Sequence, residues 1–180
     1  MRIVIALLAV SITTVTAAAE PVKGPVIKDY GPVYYVPDEP VDLTGDLPLK
    51  AVFDVAAAPK DTGEKNYRLE TVARYLNMHA RVGLEPAQLP TAVVLHGRAL
   101  RSALNEEGYG ARYEGPNPDA ELLRQLMAAG VRVLVCGQSA AAMDVGREEL
   151  AAGIEMSLSA MTALVRLQSD GYALIPWGTD

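Results

Sequence analysis

The chain has 180 residues, with 16 Lys or Arg against 22 Asp or Glu and a net charge of -6. Binding nucleic acid takes clustered Lys and Arg to neutralise phosphates, and no such patch is present, so a nucleic-acid partner is excluded. Half of the residues are hydrophobic, which is enough for one domain with a proper core.

Residues 1–19 read as a secretory signal: Arg2 gives a short positive start, residues 3–10 are apolar, and Ala17 and Ala19 form an Ala-x-Ala site before Glu20. The apolar core is shorter than the roughly 20 residues a spanning helix needs. Cleavage is therefore expected, with no stable membrane insertion afterwards and a periplasmic or secreted mature chain. Arg2 is the one charged residue lost with the signal, which takes the net charge from -6 to -7.

Residues 20–48 form a proline-rich segment. Pro21, Pro25, Pro32, Pro37, Pro40 and Pro48 lie too close together for a helix or a central strand. Val26, Ile27, Tyr30, Val33, Tyr34, Tyr35 and Val36 make the stretch too apolar for a solvated linker. An extended arm fits, lying on its own domain or on a neighbouring subunit.

From residue 49 to 180 short apolar runs alternate with helical patterns, the signature of a parallel sheet wrapped by helices. Ala51 to Val55 reads as the first strand. Residues 64–81 read as the first helix, with Leu69, Val72, Ala73, Leu76 and Ala80 on one face. Asn77 and His79 fall off that stripe and read as surface or interface residues. Residues 92–95 are a second strand and 98–105 a short helix.

Asn117 or Asp119 caps the next helix, which stops at Gly130. Residues 131–135 are the third strand and a helix starts near Ser139. Residues 153–156, 159–169 and 172–175 read as strand, helix and strand. The sum is a three-layer α/β/α sandwich with a mainly parallel five-stranded sheet.

In such sheets ligands sit beyond the carboxyl ends of the strands. Asp54, His96 and Cys136 all fall there, at the ends of the first three strands. Cys136 is the only cysteine, so it is buried and inert, paired between subunits, or kept for chemistry. A strand-to-helix turn places its sulfur near backbone N–H groups and a helix dipole, which favours a thiolate. His96 is a proton partner if it converges on that sulfur, and otherwise a capping or buried histidine. Asp54 either joins them or caps the following turn. Gly97 and Gly137 give a ligand room near the backbone, and Gln138 and Ser139 offer donors to an anion or to the sulfur.

The segment Gly137-Gln138-Ser139-Ala140-Ala141 nearly matches the Gly-x-Ser-x-Gly elbow of α/β hydrolases. Those enzymes place the histidine after the serine, whereas His79 and His96 both precede Ser139, which reads better as a helix cap. No phosphate-binding loop or dinucleotide fingerprint occurs. Two separated histidines and one cysteine give no metal-ligand spacing, so neither metal nor cofactor is expected.

The strings Ala51-Val52-Phe53-Asp54-Val55, Tyr75-Leu76-Asn77-Met78-His79-Ala80, Val93-Val94-Leu95-His96-Gly97, Val135-Cys136-Gly137-Gln138-Ser139 and Leu158-Ser159-Ala160-Met161-Thr162-Ala163-Leu164 resemble the exported branch of the DsrE/DsrF-like, or sulfur-relay, family. The resemblance implies a small α/β domain assembled into homotrimers or hexamers. It also implies a cysteine in the loop after a strand that carries sulfur as a persulfide, here Cys136, with a sulfur donor or acceptor protein as partner. The expected function is sulfane-sulfur binding or transfer, or other thiol redox chemistry, at an exposed Cys136. The alternative is a non-catalytic oligomer, structural or binding a small ligand, with an inert buried cysteine.

Overall fold

The computed structural model describes residues 20–36, 42, 45 and 48–176. The predicted signal at 1–19 and most of the arm beyond residue 36 lie outside them. Five strands form one sheet in the order β4-β3-β2-β1-β5: β1 Ala51–Val55, β2 Thr91–Leu95, β3 Arg132–Cys136, β4 Glu155–Ser157 and β5 Ala173–Pro176. Every pairing is parallel. The helices are α1 Tyr67–Ala80, α2 Glu106–Gly110, α3 Ala120–Ala128, α4 Gly137–Ala142 and α5 Ala160–Ser169.

Handedness explains the layers. From β1 to β4 the chain steps one strand at a time in one direction, so right-handed crossovers keep the connecting helices on one face. There α1, α3 and Ala140 of α4 pack on Phe53, Val55, Val93, Leu95, Val133 and Val135. The connection from β4 to β5 runs back across the sheet, so the same handedness puts α5 on the other face. Its Ala160, Ala163 and Leu167 cover Val52, Ala92, Val94, Leu134 and Cys136. Among the described residues one helix of ten residues covers that face, and Leu174, paired with Val52 on β1, stays 38% exposed.

Several boundaries differ from the sequence reading. The first helix starts at Tyr67, because Asn66 is its N-cap and accepts from Arg68 N. Residues 98–105 are a 3-10 segment, Gly97–Ala103, followed by the separate α2. Asp119 stands at the start of α3 without capping it: its carboxylate accepts Asn66 N at 2.8 Å, tying α3 to the start of α1, while Asn117 Oδ1 accepts Asp119 N. Asp119 is buried, and desolvation raises its pKa despite these bonds.

The arm residues 20–36 lie on α1 of the same chain. Ile27, Tyr30 and Val33 are buried. Asn77, read from sequence as a surface or interface residue, is fully buried: its Oδ1 accepts Val26 N and Ile27 N, and its Nδ2 donates to the carbonyls of Ile27, Tyr30 and Gly31. Arg81 holds the carbonyls of Val22, Lys23 and Gly24, and Arg74 holds that of Pro32. No helix among the described residues is long and apolar enough to cross a membrane.

Candidate functional site

The reversal of chain direction sets where the site lies. After β3 the chain turns into α4 on one face, and after β4 into α5 on the other, so the carboxyl ends of β3 and β4 form the switch point where such sheets hold ligands. Cys136 is the last residue of β3 and the N-cap of α4, paired with Ser157 of β4. Its sulfur therefore lies between the N-termini of two helices.

The local sequence builds this closely. Ser139 N donates to Cys136 Sγ at 3.4 Å. Burial pushes the thiol up. Hydrogen bonds from the Ser139 hydroxyl and from the N–H groups of Ser139, Ala160 and Gln138 outweigh it, and the thiol ends below its ordinary range. Ser139 is not the helix cap expected from sequence, because the helix begins two residues earlier. Its Oγ also accepts Gly97 N at 3.0 Å, which ties the loop after β2 to the sulfur.

The space left by the two glycines is filled by backbone. A Cβ on Gly137 would stand 2.6 Å from Ser157 O, so this glycine lets β4 and the start of α5 close on β3. Gly97 has φ +52° and lies against Ala56 O. The Gln138 side chain is exposed and reaches Leu158 O at 3.5 Å.

Asp54 and His96 come together on the sheet face that carries Cys136. His96 Nε2 and Asp54 Oδ1 are 2.8 Å apart, with side chains 29% and 31% exposed. Asp54 alternates with Val52, His96 with Ala92 and Val94, and Cys136 with Leu134, so all three side chains share the α5 face. The register of β2 and β3 ends at Leu95 and Val135, and His96 and Cys136 are the next residue on each chain segment. His79 sits at the other end of the sheet: its ring packs at a tilt against Tyr75, whose hydroxyl donates to Leu49 O just before β1.

The sulfur is more enclosed than the sequence reading expected, with Cys136 keeping 5% of its surface. The exposed residues around it are Gly97, Gln138 and Leu158. The Ala160 N–H and the Ser157 contact were invisible in the sequence, because the strand order that brings β4 and α5 to Cys136 is not encoded locally. The helix read at 159–169 is present as α5, with Ser159 as its N-cap. Among the described residues no three His, Cys, Asp or Glu side chains group to hold a metal ion.

Ser139→Ala removes two contacts at once, the hydroxyl on the sulfur and the acceptor for Gly97 N. The thiol is expected to titrate closer to its ordinary value, measured as thiolate absorbance against pH. A titration curve identical to that of the unsubstituted protein would remove Ser139 from the sulfur's environment.

A family model described as the DsrE/DsrF-like family matches residues 50–177. No curated protein matches the chain. Among solved structures, MTH1491 from Methanobacterium thermoautotrophicum, a protein of unknown function, aligns with a TM-score of 0.53 at 18% identity, covering 71% of this chain and 98% of that one. The YchN protein from E. coli aligns with a TM-score of 0.53 at 16% identity, again over 71% of this chain and 98% of the other. These two likenesses establish the shared α/β/α fold. The family match spans every strand and helix described above, and the chain belongs to the DsrE/DsrF-like family.

Proposed function

We propose that Cys136 carries sulfane sulfur as a persulfide in an exported, oligomeric member of this family. Membership in the family points to a sulfur-relay-related role. The observation that carries the reading to Cys136 is the set of N–H and O–H donors aimed at its sulfur from α4, Ser139 and the start of α5. Such donors stabilise a negative sulfur, whether thiolate or terminal persulfide.

Export rests on the sequence of residues 1–19. Oligomerisation rests on the resemblance and on the exposed Leu158, Met161 and Val165, which extend an apolar strip along α5. Native mass spectrometry of the mature protein after incubation with polysulfide tests the three together. The expected result is a chain starting at Glu20, a multiple of the subunit mass, and one added sulfur atom per subunit that is absent in Cys136→Ser. No added sulfur on an alkylatable Cys136 overturns the carrier role.

The enclosure of Cys136 favours a second reading, a non-catalytic oligomer with an inert thiol. A native thiol unreactive toward small alkylating reagents, and reactive only after unfolding, would establish that reading instead.

A further inference from the structure

The pair Asp54–His96 has no structural task that accounts for it. Both side chains are about a third exposed, so the pair adds little to stability. Neither caps a helix through its side chain, and Asp54 does not cap the turn after β1. What the pair does fix is the chemistry of the imidazole. An ionised carboxylate only accepts, so His96 Nε2 carries a proton and donates it to Asp54 Oδ1. In the neutral ring the lone pair is therefore on Nδ1, and in the charged ring the carboxylate compensates the imidazolium. His96 and Cys136 are the residues that directly follow Leu95 and Val135, the last pair of the β2–β3 register, and both side chains fall on the face that carries α5.

We propose that His96 is the proton-transfer residue for sulfur exchange at Cys136, that Asp54 is its positioning residue, and that the donor this site suits is a persulfide whose departing group is an ordinary alkyl thiol. This rests on the carrier reading of Cys136. In the first step the thiol proton moves from Cys136 Sγ to His96 Nδ1, leaving a thiolate and an imidazolium held by Asp54. The thiolate then attacks the terminal sulfur of the donor R–S–SH. A bond forms between Sγ and that sulfur, the donor's S–S bond breaks, and its electron pair leaves on R–S. His96 Nδ1 returns the proton to this sulfur as R–SH departs. The products are the Cys136 persulfide and a thiol, with no net oxidation or reduction. Alkyl thiolates are poor leaving groups and gain from that proton, whereas aryl thiolates leave without it.

The test compares two donors on the mature protein at neutral pH: an alkyl persulfide, and an aryl persulfide generated in situ. The first step is common to both donors and cancels in the ratio of their sulfur-transfer rates. His96→Gln is expected to lower the alkyl-to-aryl ratio by about 100-fold. Asp54→Asn, which no longer fixes the proton on Nε2, is expected to lower it in the same direction by less. A change in folding would move both rates together and leave the ratio alone. An unchanged ratio in His96→Gln overturns the proposal while the carrier reading stands. A mature wild-type protein that takes sulfur from neither donor overturns both.

Discussion

Asn77→Ala is expected to lower the stability of the folded protein by about 3 kcal/mol, since the part-buried N–H of Val26 and the buried N–H of Ile27 each lose their acceptor. The same change withdraws the donor that Ile27, Tyr30 and Gly31 share through their carbonyls. No other described side chain replaces it: Arg74 and Arg81 grip the arm only at its two ends. Residues 20–36 should therefore come away from α1 before the domain unfolds, which frees the backbone at the already exposed Lys23 and Lys28 to enter the trypsin active site. Urea denaturation and limited proteolysis read the two effects. Asn77→Asp keeps the acceptor but sets a negative charge against three carbonyl oxygens, and is expected to do no better. A midpoint and a tryptic pattern equal to those of the unsubstituted protein would mean that the apolar contacts of Ile27, Tyr30 and Val33 and the grips of Arg74 and Arg81 hold the arm without Asn77.

Asn77 also marks where the sequence stops being legible. Helical periodicity identifies the stripe of α1 that faces the sheet, because Leu69, Val72, Ala73 and Leu76 follow the 3.6-residue repeat. It cannot identify a second buried face made by a segment some fifty residues earlier in the chain. A polar residue off the apolar stripe then reads as solvated. The short helix α2 is hidden for another reason: two of its five residues are glycine, which propensity counts against a helix. The Asn105 side chain accepts Gly108 N and starts this helix from outside.

The candidate site was legible in its parts and not in its assembly. Asp54, His96 and Cys136 each follow from the rule that strand ends carry chemistry, and β1, β2 and β3 happen to be neighbours in chain order. What the sequence lacks is the position of β4 and the side on which α5 returns. Those two facts bring Ala160 N–H to the sulfur, fill the space beside Gly137, and leave Cys136 enclosed. Strand order depends on the whole set of crossovers, so no local pattern around residue 160 could have announced a contact with residue 136.

Gly137→Ala tests this assembly most directly. The backbone at Gly137 is helical with no positive φ, so alanine suits its conformation and even favours the first turn of α4. The obstacle is packing alone: the new Cβ would meet Ser157 O at 2.6 Å and Leu158 O at 3.2 Å, both backbone atoms with little room to yield. The connection from β4 to α5 has to move outward, at a cost of about 2 kcal/mol. As it moves, Ala160 N–H leaves the sulfur and Cys136 becomes more exposed. Two opposite changes at Cys136 follow. The thiol is expected to titrate nearer its ordinary value, since a donor is lost, while alkylation at high pH becomes faster, since access is gained. Linkage gives the pH dependence its sign. A thiol whose folded pKa lies below its unfolded value adds stability that is fully present above the unfolded pKa and is lost as pH falls through the folded one. With that contribution reduced, the deficit of Gly137→Ala relative to the unsubstituted protein should be larger above the ordinary thiol pKa than in acid. Urea melts at the two pH values and an alkylation-rate profile give both quantities. Faster alkylation with the titration midpoint unmoved would mean that α5 encloses the sulfur without donating to it.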